Sequence, residues 1–303
     1  MAIVKKILIG LLALALVAGL GFFGYLKYTG IWNIIFPSTH HDTKPPSITD
    51  SIASPAILVF SKTNQFRHRE SIAAGLVHFE ELAKSRDWGF YATENGAVFN
   101  AEQLALFDTV VFLNATGDML STEQELAFQS WMESGGGWLG VHAAGDGSHK
   151  TWNWYMENFI GAPYVAHILD PQFQVAKVVM EDLDHPVNRN IPATWDHEEE
   201  WYSWASSPRE TGFNILATVD ESTYSPIQRW RGEENDLSMG DHPVVWSNCV
   251  GEGRSVYATM GHRAAAFEQE QYATILENAL EWTLGVVADT ACKASGKIET
   301  NED

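Results

Sequence analysis

Cysteine and positive charge are both scarce in this sequence. Of 303 residues only two are cysteines, Cys249 and Cys292, and no CxxC pair exists, which excludes a zinc site built from cysteines. An oxidising compartment permits a Cys249–Cys292 bridge, but sequence alone does not establish one. Lys and Arg number 19 against 39 Asp and Glu, for a formal net charge of −20. Lys5, Lys6 and Lys27 fall in a first segment of 36 residues that holds no acid, so the remainder carries −23. So acidic a domain repels phosphate backbones and anionic lipid, which argues against nucleic acid as a partner. The charge itself needs no reading beyond solubility. There is no HExxH, no His pair at i, i+4 on a clear helix, and no internal repeat.

Apolar residues are plentiful, at 45%, so the chain is not a disordered one, and its length suits one large domain or two small ones. The 12 Trp serve either as core or as platforms for sugars and other flat ligands; composition does not separate the two.

Ile7 to Leu26 is an uncharged apolar run of 20 residues. A helix of that length crosses a hydrocarbon core of roughly 30 Å. Lys5 and Lys6 precede it, and Tyr25, Tyr28 and Trp32 stand at its far end. The positive flank should stay cytoplasmic and the aromatics suit an interfacial belt. Residues 1–36 are therefore read as a single-pass anchor in the cell membrane. The main domain is then extracytoplasmic, and periplasmic if the source has an outer membrane. Ala13-Leu14-Ala15 offers a small-x-small cleavage site, but cutting there leaves Leu16 to Leu26 as a second apolar stretch at the new terminus, which favours an uncleaved anchor. Both readings export the domain.

Residues 37–55, polar and marked by Pro45-Pro46, read as a linker. From Ala56 short apolar runs alternate with amphipathic stretches. Strands are expected at Ala56–Phe60, Trp88–Thr93, Asp108–Asn114 and Gly137–His142. Helices are expected over Arg69–Arg86 and from a Ser121 cap to Ser134, with Thr122 and Glu125 as an alternative capping box. Strand–helix alternation of this kind predicts a parallel sheet covered on both faces. After a helix over Trp152–Ile160 the pattern becomes more β-like, with strands at Gln172–Met180, Asn214–Val219, Pro243–Ser247 and Arg254–Thr259. A helix over Glu268–Gly285 closes the domain 56–285, and 286–303 is a polar tail.

Open parallel sheets bind ligands beyond the carboxyl ends of their strands. Those ends are polar here, and three carry histidine: Ser61 to His68, Asn114 to Asp118, His142 to Asp146, and Gly261-His262-Arg263. Around them stand segments that resemble the ThuA-like (trehalose utilisation) family. They are VFSKTNQFRH (59–68), VVFLNATGD (110–118), GGGWLGVHAAGD (135–146), DHPV (184–187), EEWY (199–202), LATVDESTY (216–224), GDHPVVW (240–246) and GHRAAAF (261–267). The resemblance implies the flavodoxin-like, class I glutamine amidotransferase-like fold, with a doubly wound, mostly parallel sheet. It also implies metabolism of trehalose and other, often oxidised, disaccharides. The sequence departs from the parent superfamily at the elbow Gly140-Val141-His142-Ala143-Ala144, where a nucleophilic Cys would stand, so glutamine hydrolysis through a thioester is not available. Arg69-Glu70 precede Ser71 where one residue is expected, Glu199 replaces a usual Asp, and Trp230–Ser238 reads as an insertion.

The candidate residues follow from position. His142, on a strand-to-helix turn exposed at the sheet edge, is the expected general base or a metal ligand, against a plain loop-bonding histidine. Glu200 or Asp241 is its expected acid partner. His68, Asn114, Asp118, Trp154 and His262 are expected to hold substrate, although Asp118 also suits a helix cap and Trp154 core packing. A divalent ion such as zinc would be held by His142, Glu200, His242 and His262. Two functions are expected on these grounds. One is a hydrolase or lyase acting on a disaccharide or keto-sugar. The other is a non-catalytic sugar-binding or assembly module.

Overall fold

The structure is a computed structural model and describes residues 2–48, 52–287 and 292. Thirteen strands form in chain order: β1 Ala56–Phe60, β2 Gly89–Thr93, β3 Thr109–Leu113, β4 Gly137–Val141, β5 Tyr164–His167, β6 Gln174–Met180, β7 Thr194–Glu199, β8 Tyr202–Trp204, β9 Asn214–Asp220, β10 Ile227–Trp230, β11 Glu233–Asp236, β12 Pro243–Val250 and β13 Gly253–Ala258. Nine of them make one sheet in the order β2-β1-β3-β4-β13-β12-β9-β6-β7. The first five in that order run parallel, with Ile57 paired to Thr109, Val110 to Trp138 and Leu139 to Val256. The other four continue it antiparallel. The parallel sheet expected from sequence is therefore half of a mixed one.

The pleat explains the two-sided burial. Ile57, Val59, Val111, Leu113, Leu139 and Val141 face one layer, which the helices Arg69–Ser85 and Glu270–Thr283 cover through Phe79, Ala83, Ile275 and Leu280. Leu58, Phe60, Val110, Phe112 and Trp138 face the other, under the helix Thr122–Glu133 with Phe128 and Met132. Strands buried on both faces read as continuous apolar runs, which is why AILVF and TVVFL carry no alternation. The cap of Thr122–Glu133 is Ser121, and its capping box closes through Gln124, not through Thr122 and Glu125.

At the N-terminal end, Ala2–Thr29 forms a single helix, of which Ile3–Thr29 is long and apolar enough to cross a membrane, and the most apolar stretch of it has no buried residue. Residues 38–46, expected as part of a linker, are strapped down. Ser38 N–H donates to Asn64 O at 2.7 Å, Lys62 holds Asp42 at 2.5 Å, and Gln103 donates to Pro46 O at 2.7 Å. Cys249 and Cys292 form a disulfide, the pairing that sequence left open. The rest of the expected polar tail, apart from 286 and 287, lies outside the described residues.

Candidate metal centre

Four side chains meet beyond the carboxyl ends of β1, β4 and β13 and the end of β7. One donor atom each from His68, His142, Glu200 and His262 lies within 4.8 Å of the others. The backbone brings them there. His142 and Asn114 follow the adjacent strands β4 and β3, and both adopt left-handed φ of 48°. Neither is glycine, so each stores strain that the surroundings must hold, a pattern concentrated at functional sites. Asn114 donates to Ser71 Oγ at 2.7 Å and accepts from Ala143 N at 3.4 Å, and Ser71 donates to Gly261 O at 2.5 Å. The serine displaced in sequence thus still reaches the network. Gly261 has φ +111°, and a Cβ there would stand 2.6 Å from the Tyr272 hydroxyl oxygen, so only glycine swings His262 inward.

The hydrogen bonds settle which nitrogens are free. His142 is fully buried, not exposed as sequence suggested, and its Nδ1 stands 2.7 Å from Thr259 O. A carbonyl only accepts, so Nδ1 carries a proton, and it is Nε2 that faces the cluster, as a lone pair in the neutral ring and as a donor to Glu200 in the charged one. That nitrogen stands 2.9 Å from the Tyr202 hydroxyl, 3.0 Å from His262 Nδ1 and 3.5 Å from Glu200 Oε2. Glu200 Oε1 is held from behind by Gln172 and, at 3.0 Å, by His167, which turns Oε2 toward His262 Nδ1 at 3.0 Å. His68 packs edge-on against both other rings, at 4.8 and 4.6 Å, and its buried Nδ1 has no hydrogen-bond partner. Glu199 ties the loop in place by accepting from Gly261 N at 2.6 Å and Glu200 N at 2.9 Å.

The electrostatics follow from this packing. Burial pushes the Glu200 carboxyl up, but hydrogen bonds from His142 and His262 outweigh it and hold the group far below the usual carboxylate range. Burial lowers His142, yet the hydrogen bond and charge of Glu200, with Glu199 nearby, leave it raised. His68 is pushed well below the usual imidazole value, first by burial and then by the neighbouring His142 and His262. It is a neutral imidazole, the form that ligates metal. Two donors about 2.1 Å from one zinc ion stand about 3.4 Å apart in a tetrahedron. The 3.0 to 3.5 Å separations among His142, His262 and Glu200 match that spacing. Three imidazoles and one carboxylate suit zinc or another divalent transition ion. The carbonyl of Thr259 orients His142 as a ligating histidine requires.

The remaining sequence candidates lie elsewhere. His242 is not in the cluster. Its Nε2 meets Tyr202 O at 2.8 Å and its Nδ1 meets Glu221 at 2.8 Å, so both nitrogens face acceptors and neither lone pair is spare. It steadies the tyrosine whose hydroxyl contacts His142. Asp241 is bound to Arg209 at 3.0 Å on the surface and does not partner His142. Asp118 accepts from His41 at 2.9 Å. Trp154 donates to Glu133 at 3.2 Å and packs with the opposite aromatic layer around Phe128. Asn114 is wholly buried beneath the elbow. Sequence reading did not single out Tyr202, although it ends the EEWY segment, nor His167, which lies in the short β5. One open concavity lies at the opposite sheet edge, among Phe107, Trp131, Glu252 and Arg254.

Comparison with known proteins places the fold. No curated protein matches the chain. A crystal structure of a ThuA-like protein from Bacteroides uniformis superposes with a TM-score of 0.66 at 24% identity, covering 79% of this chain and 95% of that one. A ThuA-like protein from Parabacteroides merdae gives a TM-score of 0.58 at 18% identity, covering 82% and 93%. These share the fold. The family profile for ThuA, described as trehalose utilisation, matches residues 56–283, three quarters of the sequence, and the chain belongs to that family.

Proposed function

We propose that this ThuA protein is a membrane-anchored, extracytoplasmic enzyme of carbohydrate metabolism, a metal-dependent hydrolase or lyase acting on a disaccharide or keto-sugar. The observation that carries the proposal is the convergence of His68, His142, Glu200 and His262 within 4.8 Å, with the buried His68 Nδ1 lacking any partner. A buried, unpaired imidazole nitrogen costs stability unless something takes its lone pair. A divalent ion held there would supply Lewis acidity toward a sugar carbonyl or hydroxyl oxygen. The chain's own residues do the rest. Glu200 as a carboxylate and His68, His142 and His262 as neutral imidazoles would hold the ion. The Tyr202 hydroxyl, 2.9 Å from His142 Nε2, stands where it would donate to a substrate oxygen. His167 and Gln172 keep Glu200 oriented.

The parallel strand order β2-β1-β3-β4-β13 supports the flavodoxin-like, class I glutamine amidotransferase-like assignment. An imidazole at the elbow and the bonding of the two cysteines to each other argue against glutaminase chemistry. That bridge, with the apolar N-terminal helix, supports export into an oxidising compartment. The test is metal analysis of the full chain in detergent, with assays on trehalose and its keto derivatives before and after chelation. Bound divalent metal and chelator-sensitive conversion are expected. Sugar binding without conversion, whatever metal is supplied, would make it a binding module instead.

A further inference from the structure

The long helix joins the domain at the edge that holds the cluster. Thr29 ends the helix and Gly30 turns the chain with φ 80°. That turn lies on Phe66: a Cβ at Gly30 would be 3.1 Å from its ring. Phe66 in turn packs edge-on against His68, ring centroids 4.7 Å apart. Arg69 donates to the carbonyl of Lys27 at 3.5 Å. One aromatic ring therefore separates the end of the helix from a cluster imidazole. The following residues do not loosen the connection, because they bind the loops beyond β1, β2 and β3. His41 meets Asp118 at 2.9 Å, Asp42 meets Lys62 at 2.5 Å, and Asn95 donates to Lys44 O at 3.0 Å. Between helix and strap lies the short helix Ile31–Ile35, followed by Phe36. Ile34, Ile35 and Phe36 are 55%, 55% and 56% exposed. They continue the apolar surface of the long helix, as residues do that lie in the interfacial layer of a membrane. Lys27 and Arg69 add two cations to this edge, the sign that suits lipid phosphates, while Arg67 is paired with Glu94 at 2.6 Å.

We propose that the carboxyl edge of the sheet, with the four-residue cluster, is held against the headgroup layer of the bilayer, and that the protein works on carbohydrate presented at that surface. This rests on the anchored reading given above. A free linker would let the domain tumble; the strap along residues 38–46 fixes it with the cluster inward, toward the lipid.

Energy transfer tests the orientation. The full chain is reconstituted in phosphatidylcholine vesicles carrying a trace of headgroup-labelled acceptor lipid. Glu70→Cys places a donor dye beside the cluster edge, and Glu252→Cys places one in the turn before β13 at the opposite edge; both positions are exposed. The bonded native cysteines do not react. The two dyes differ in height by at least the length of a five-residue strand, about 17 Å. Higher transfer from position 70 than from 252 is expected. Equal or reversed transfer from protein that resists alkaline washing overturns the orientation and leaves the anchor standing. Protein that washes off the vesicles refutes the anchor and the orientation together.

Discussion

Metal binding should be visible as stability before any substrate is known. A ligand that binds only the folded state adds RT ln(1 + [L]/Kd), about 2.7 kcal/mol at a hundredfold excess over Kd. For a domain of this size 1 kcal/mol moves Tm by roughly 2–4 °C, so the expected rise is roughly 5–10 °C. His68→Ala removes one of the four donors. Loss of even a supporting contact at metal sites costs on the order of 10–100-fold in affinity, and loss of a ligand should cost at least that. At the same metal concentration the variant then gains roughly 0.4–1.4 kcal/mol, and its Tm rise falls to roughly 1–6 °C, about half the wild-type rise or less. Asp241→Asn is the control, since it disturbs only the surface pair with Arg209 and should keep the full wild-type gain. The assay is thermal unfolding of chelator-stripped protein with zinc, manganese, cobalt or nickel, with affinities from calorimetry. Four metals that leave Tm unmoved at every concentration up to saturation would refute the assignment. Equal losses in His68→Ala and Asp241→Asn would refute the ligand set.

Other consequences are as direct. Tyr202→Phe keeps the ring and removes the donor at 2.9 Å from His142 Nε2; kcat should fall about 10²–10⁴-fold, the usual worth of a positioned proton donor, while metal affinity changes little. Unchanged turnover in that variant would remove Tyr202 from the chemistry. The Cys249–Cys292 bridge spans 43 residues, and opening it by reduction or by paired Ser substitution should cost roughly 2–4 kcal/mol in urea unfolding. Identical midpoints with and without reductant would mean the bridge constrains nothing. Glu125 is pushed up to about 7, first by burial and then by Asp118. The folded state therefore binds its proton more tightly than the unfolded chain does, and stability from this group is present at low pH and lost as pH rises through about 7. Glu125→Gln should thus gain on the wild type between pH 5 and 8 in urea midpoint; a constant difference across that range would contradict the burial.

The parallel half of the fold was legible because its signals are local. AILVF, TVVFL and GWLGV are short apolar runs buried on both faces, and the intervening helices carry caps and amphipathic faces. The antiparallel half was less so. β7 (TWDHEE) alternates exposed and buried along its length, and its buried positions include His197 and Glu199. Polar side chains on the inner face of a strand defeat a reading that looks for apolar alternation, because their burial depends on partners distant in sequence. Glu199 is inside only because Gly261 N, 62 residues away, donates to it. The hairpin β10–β11 is exposed enough to have been read as an insertion, which describes its sequence but not its pairing of Gln228 with Asn235.

The site shows the same divide in sharper form. Strand ends pointed to His68, His142 and His262, and the structure joins all three. What sequence could not rank was which histidine completes the cluster, because the ranking depends on ring nitrogens and not on position. His242 follows an Asp and precedes a Pro beside a strand end, features that favoured it as a ligand. His68 had only a strand end. The outcome turns on what each imidazole meets: a carboxylate and a carbonyl for His242, nothing for the Nδ1 of His68. A nitrogen already engaged by an acceptor must give up that bond to ligate, whereas an unengaged one inside the fold gains by ligation. Histidine motifs therefore locate the edge of the sheet where chemistry gathers. The count of unspent lone pairs, which only the folded arrangement supplies, decides which of them can share an ion.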